Sequence, residues 1–133
     1  MICSNNDKFI INKSLTNEFI LTIKQQDSTL PMTITSTDTF KANLYKLSDN
    51  TKVMSSEGTS PLITIIPYGT AVNGEWPSGK IALTISDASS LEVSRGSKAD
   101  RYYLKPVYRL SLECDTANNG TFVAKVNKVY VDM

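Results

Sequence analysis

The sequence predicts an all-β chain folded as an antiparallel β-sandwich of about eight short strands. Three observations predict it. Between 102 and 114 every second residue is apolar (Tyr102, Leu104, Pro106, Tyr108, Leu110, Leu112, Cys114), and those between are mostly polar or charged, the period of a strand with one wet face. Several earlier runs repeat that alternation, and none keeps a helical period over a helical length. Segments rich in Ser, Thr, Asn, Asp, Gly and Pro separate the runs at short, regular spacing.

The 102–114 run anchors the reading. Asp115-Thr116-Ala117-Asn118-Asn119-Gly120 is a turn by composition, and a returning strand follows over 121–131. On that strand Phe122, Ala124 and Val126 share one face, then the apolar phase slips to Val129 and Val131. A strand cannot change phase without an extra residue, so a β-bulge is predicted at Asn127-Lys128. Leu112 should then oppose Ala124, Leu110 oppose Val126, and Tyr108 oppose Val129. Pro106 donates no backbone bond, which places the first half of the strand at an edge or in a bulge.

The remaining elements follow in order. Residues 1–7 read as a flexible N-terminus and 8–133 as a single domain. Phe9-Ile10-Ile11 is a first edge strand. Phe19, Leu21 and Ile23 alternate as a strand; Leu30, Met32 and Ile34 alternate again, with Pro31 marking an edge. Phe40, Ala42 and Leu44 point one way, Lys41, Asn43 and Tyr45 the other. Ser48-Asp49-Asn50 turns the chain back through 51–54 as a hairpin. Leu62 to Ile66, between two prolines, reads as a strand covered on both faces. A twelve-residue loop, 68–79, holds three glycines and the only tryptophan, Trp76. Ile81, Leu83 and Ile85 face inward. The stretch 86–93 reads as a short helical turn with Ser86 as N-cap and Gly96 beyond its end. This pattern favours a sandwich of immunoglobulin-like type, without the cysteine pair that staples antibody domains.

Composition bounds the chemistry. The 133 residues are 41% hydrophobic and 20% charged, with a net charge of +1, enough for one core without a disulfide or metal. That balance argues against a general nucleic-acid binder, which needs a basic excess. No apolar run reaches the roughly 18 residues of a membrane span, and the N-terminus lacks the pattern of a signal peptide. Cys3 and Cys114 read as reduced thiols, Cys114 as core filler. Histidine is absent, which removes the usual general base, the Ser-His-Asp and Cys-His constellations and most zinc sites.

Three motifs come close to a chemistry and miss. Gly74-Glu75-Trp76-Pro77-Ser78-Gly79-Lys80-Ile81 nearly spells a phosphate-binding loop, but Ile81 stands where Ser or Thr should ligate magnesium, and a strand rather than a helix follows. The 115–126 segment has the outline of a calcium loop, with Ala117 and Val126 at ligand positions. No spacing selects a glycosidase pair such as Glu75 with Asp87. The expectation is a chain that is not an enzyme and holds no cofactor or metal. The remaining candidates are for partner binding. Tyr103, Lys105 and Arg109 share the outward face of the hairpin with Lys125, an aromatic-plus-cation surface that suits an acidic protein or a glycan; the plain alternative is a solvated sheet face with edge-protecting lysines. Trp76 either stacks on a partner or folds back to cap its own sandwich.

The order of pieces resembles a known family. Phe19-Ile20-Leu21-Thr22-Ile23, a polar turn, Leu30-Pro31-Met32-Thr33-Ile34 and Asp38-Thr39-Phe40 are followed by Gly79-Lys80-Ile81-Ala82-Leu83-Thr84-Ile85, Val93-Ser94-Arg95-Gly96, a Tyr-rich strand and a terminal Lys-Val-Tyr-Val. This is similar to the immunoglobulin-like N-terminal domain of phage baseplate and tail-appendage proteins, with one departure: a loop separates Arg95-Gly96 from Tyr102-Tyr103. The resemblance implies a non-enzymatic virion protein, an adaptor or decoration module docked on head, neck or tail among other virion proteins in a symmetric multi-copy assembly. A carbohydrate-binding or adhesin-type sandwich, using Trp76 and Tyr103 as stacking platforms, is the alternative.

Overall fold

The structure, a computed structural model, describes residues 2–4, 9–25, 30–93 and 105–133. Its strands are β1 (Ile2–Ser4), β2 (Phe9–Asn12), β3 (Asn17–Lys24), β4 (Ile34–Thr35), β5 (Thr39–Lys46), β6 (Lys52–Ser55), β7 (Ile63–Pro67), β8 (Glu75–Trp76), β9 (Lys80–Ile85), β10 (Tyr108–Thr116) and β11 (Gly120–Asp132). They form a four-stranded sheet in the order β1-β3-β9-β7, a five-stranded sheet in the order β2-β11-β10-β5-β6, and a two-stranded ribbon of β4 and β8. With β3, β5, β6, β7, β9, β10 and β11 taken as B, C, C′, D, E, F and G, those are the two sheets of the immunoglobulin sandwich.

Period-two patterning builds the core. β3 buries Leu21 and Ile23, β9 buries Ile81, Leu83 and Ile85, and β10 buries Tyr108, Leu110, Leu112 and Cys114 against them. The ring of Phe9 on β2 stacks on that of Phe19 on β3, centroids 4.0 Å apart, joining the two sheets. The terminal hairpin has the expected register: Leu112 opposes Ala124, Leu110 opposes Val126 and Tyr108 opposes Val129. Between the last two pairs β11 spends one more residue than β10, so the bulge falls at Asn127-Lys128 and returns Val129 and Val131 to the core.

Several expectations are corrected. Residues 2–4, within the stretch read as a flexible N-terminus, pair antiparallel with β3, Ile2 opposite Lys24, and so satisfy backbone groups on the edge of β3. The five-stranded sheet is mixed, because β2 runs parallel to β11. Regular pairing in β10 starts at Tyr108, not at 102; Pro106 cannot donate to a ladder, and 94–104 lie outside the described residues. The 30–34 strand shrinks to β4, with Pro31 making only a single bridge to Lys24. β7 is an edge strand rather than a doubly covered one, and Ile66 is 62% exposed.

The 86–93 segment is not helical. The Ser86 hydroxyl donates to the Leu62 carbonyl instead of capping a helix, Asp87 accepts from the Ser89 amide, and one turn bond runs from the Leu91 amide to the Ala88 carbonyl. So short a stretch gains more by burying Ala88 and Leu91 than by nucleating a helix. Its end is pinned to the sheet: the Glu92 amide donates to the buried Tyr108 hydroxyl at 2.8 Å, and the Glu92 carboxylate meets Lys46 Nζ at 2.7 Å.

Gly79 is the tightest backbone position. Its φ is 64°, and a Cβ there would lie 2.6 Å from the Met32 carbonyl oxygen and 2.8 Å from that of Ile23. Its own carbonyl accepts the Ile23 amide, so no side chain can be accommodated without opening the junction of β3, β8 and β9. Gly79→Ala should cost at least about 2 kcal/mol in urea unfolding, whereas Gly74→Ala, with a positive φ but open space around it, should cost about 1 kcal/mol. Tyr108→Phe should cost about 1–2 kcal/mol, for it leaves the Glu92 amide without an acceptor.

Candidate functional site

The outward face of the five-stranded sheet carries two of the predicted cations, Arg109 and Lys125, and shows how Arg109 is held. β5 and β10 pair so that Arg109 lies directly opposite Tyr45, Ser111 opposite Asn43, and Glu113 opposite Lys41. The Arg109 guanidinium carbon stands 4.4 Å above the centre of the Tyr45 ring, and its Nη2 donates to Asn50 Oδ1 at 2.8 Å. Asn50 adopts a left-handed backbone (φ 62°) in the β5–β6 turn, which the short polar side chain of asparagine tolerates. Ring and amide therefore fix the cation in place. Lys52 pairs with Tyr45 on the far side, and Lys125 pairs with Ser111. Lys52, Tyr45 and Arg109 thus form one row across the sheet, and Lys125 stands one row on.

Between the cations lies a polar strip with little relief. Asn43 and Ser111 are nearly buried on this outward face, screened by their long neighbours, and Asn43 Oδ1 accepts the Ser55 hydroxyl at 2.8 Å. Farther along, the sign of the charge reverses. Glu113 and Asp115 line a shallow depression of about 220 Å³ with Thr39, Lys41, Cys114 and Thr121, and Lys41 pairs with Glu57 at 3.2 Å. The face is therefore cationic and aromatic at one end and acidic at the other.

The other sequence candidates are placed differently. Lys105 is exposed but precedes β10; the chain joins the ladder only at Val107, whose carbonyl accepts the Leu47 amide and whose amide donates to Val129. Tyr103 lies outside the described residues. Trp76 folds back on its own sandwich: it is half-buried against the core, and its indole N–H donates to the Gly69 carbonyl at 3.0 Å. Gly79 and Lys80 form a turn and a strand start, so the phosphate-loop outline is a turn between β8 and β9. The calcium-loop outline is a hairpin end, where Thr116 bonds the Gly120 carbonyl and the Asn119 amide and Ala117 donates to Asp38. Asp87, held below the usual carboxylate range by its Ser89 hydrogen bonds, serves its own turn. Among the described residues no cluster of three or more His, Cys, Asp and Glu side chains is arranged to hold a metal ion.

Sequence reasoning missed Tyr45 and Asn50. Tyr45 was legible as outward-facing, and Asn50 as a turn residue, but what brings them to Arg109 is the pairing of β5 with β10, which no local pattern reveals.

Burial pushes the Cys114 thiol up to about 12; it donates weakly to the Leu112 carbonyl. A neutral thiol in the core is inert as a nucleophile. In a Cys3→Ser background, Cys114 should react with a thiol reagent only after the chain is unfolded. Because the folded pKa lies above the ordinary 9.0, its contribution to stability is complete below about pH 9 and is lost as pH rises toward 12. The unfolding free energy measured across that window should fall more steeply for the wild type than for Cys114→Ala.

No family model matches the chain, and no curated protein matches it either.

Proposed function

We propose that this chain is a non-enzymatic docking module of a bacteriophage virion, an adaptor or decoration protein that binds other virion proteins on head, neck or tail. The resemblance in the order of its strands and turns supports the virion setting. The single observation that carries the docking role is the Arg109 guanidinium, already immobilised by the Tyr45 ring and Asn50 on β10, a strand bonded to a neighbour on each side. Arginine and tyrosine are the residue types in which binding energy concentrates, and a cation ordered before contact costs less entropy when a partner arrives. With Lys52 and Lys125 beside it, this end of the face suits an acidic protein surface, and the acidic end sets the orientation of the partner. The glycan reading rests on Trp76 and Tyr103 as open platforms; Trp76 is engaged within the fold, so no observation favours it.

The test is direct. Purified virions should contain the chain at a copy number that fits a symmetry of head, neck or tail. Particles made without it should rebind the added wild-type protein, and Arg109→Glu should weaken rebinding at least about tenfold, more at low salt than at high. Virions that lack the protein altogether would end this reading.

A further inference from the structure

The free edge of β7 has a chemistry that the docking face does not use. Among the described residues β7 is the last strand of the four-stranded sheet and pairs with β9 alone. The bonds to β9 run through Leu62, whose carbonyl accepts the Ser86 amide, and Tyr68, whose amide donates to the Lys80 carbonyl. In an antiparallel ladder the bonding residues alternate. Leu62, Thr64, Ile66 and Tyr68 therefore face β9, while Ile63 and Ile65 turn their amides and carbonyls outward. Among the described residues none of those four groups has a hydrogen-bond partner on that edge.

The other edges of the sandwich are blunted. β6 breaks register against β5 and carries Lys52; β1 has three residues and β2 four. β7 has five residues in unbroken register, Ile-Thr-Ile-Ile-Pro, with no charge. Uncharged, apolar edges of this kind are where sheets meet. On the outward sheet surface, Ile66 lies opposite Ala82 and Ala82 opposite Ile20, so an apolar row leads up to this edge and stops there, with Ile66 62% exposed.

We infer that β7 pairs antiparallel with β7 of a second copy of this chain about a two-fold axis at Thr64, joining two four-stranded sheets into one. The edge is self-complementary in this register. Ile63 of one copy faces Ile65 of the other, and the reciprocal pair does the same, so all four outward amides meet all four outward carbonyls. Thr64 faces Thr64, and Leu62 faces Ile66, continuing the apolar row across the junction. Pro61 and Pro67 come opposite one another at both ends, where neither has an amide to give. Moving the register by two residues, so that Ile65 faces its own copy, sets Ile63 carbonyls against proline nitrogens and leaves them unpaired. The absence of charge between 62 and 68 means the copies meet without like-charge repulsion. Because a two-fold contact consumes the same edge on both partners, it closes at two copies and does not grow into a filament. Five residues of edge bury less than a standard stable interface, so the dimer is weak and appears as concentration rises.

Sedimentation of the full chain tests this. The average mass should climb from 14.7 kDa toward twice that value as protein is concentrated. Thr64→Lys, on an exposed position outside the core, should raise the dimer dissociation constant at least tenfold while leaving the circular dichroism and unfolding midpoint near those of the wild type. Thr64→Cys in a Cys3→Ser background should form a disulfide dimer under mild oxidation, and Val123→Cys, exposed on the other sheet, should not. A chain that stays monomeric at millimolar concentration overturns the inference. So does a dimer that Thr64→Lys leaves unchanged, or one that cross-links equally well through residue 123.

Discussion

The register of β10 against its two neighbours is the constraint on which the rest of the structure depends. β10 lies between β5 and β11 in the five-stranded sheet, so its alternation is read twice. Inward, Tyr108, Leu110, Leu112 and Cys114 supply one wall of the core. Outward, Arg109, Ser111, Glu113 and Asp115 meet Tyr45, Asn43, Lys41 and Thr39. A slip of one residue would exchange the two sets, burying a guanidinium and two carboxylates and exposing the core. Burying such charges unpaired is far costlier than any pair contact in the sheet, so the register is fixed by what it excludes as much as by what it joins.

The bulge in β11 is the price of keeping that register along a strand of thirteen residues. Phe122, Ala124 and Val126 are in phase with β10 up to the bulge, and Val129 and Val131 are in phase after it. It also lets the end of β11 accept β2 as a parallel neighbour, with Val129 opposite Phe9 and Val131 opposite Ile11. Phe9 then reaches Phe19 in the other sheet. One extra residue thus connects the terminal hairpin to the N-terminal strands and, through them, to the opposite wall of the sandwich.

Polar side chains at the ends of the sandwich are spent on closing it. Buried Asn17 bonds the Asn12 amide and carbonyl and the Leu15 carbonyl, fixing the β2–β3 turn. Asp38 accepts from the Thr35 amide and hydroxyl and from the Ala117 amide, tying the approach to β5 to the terminal hairpin. Tyr108 and Lys46 hold Glu92 from two directions. These bonds tie the described turns to the strands they join.

Sequence by itself determined the β class, the inward set of each long strand, the terminal hairpin and its bulge, because all of these follow from a period of two and from turn chemistry within a few residues. It did not determine that Ile2–Ser4 and Phe9–Asn12 split between two sheets, that Leu62 to Ile66 ends at an open edge, that 86–93 packs as a turn, or that Tyr45 and Asn50 immobilise Arg109. Those depend on which strands become neighbours across dozens of residues. Side-chain alternation says which face of a strand is dry, but strands of the same pattern are interchangeable until the tertiary structure seats them side by side, and only then do an open edge and an ordered Arg109 exist.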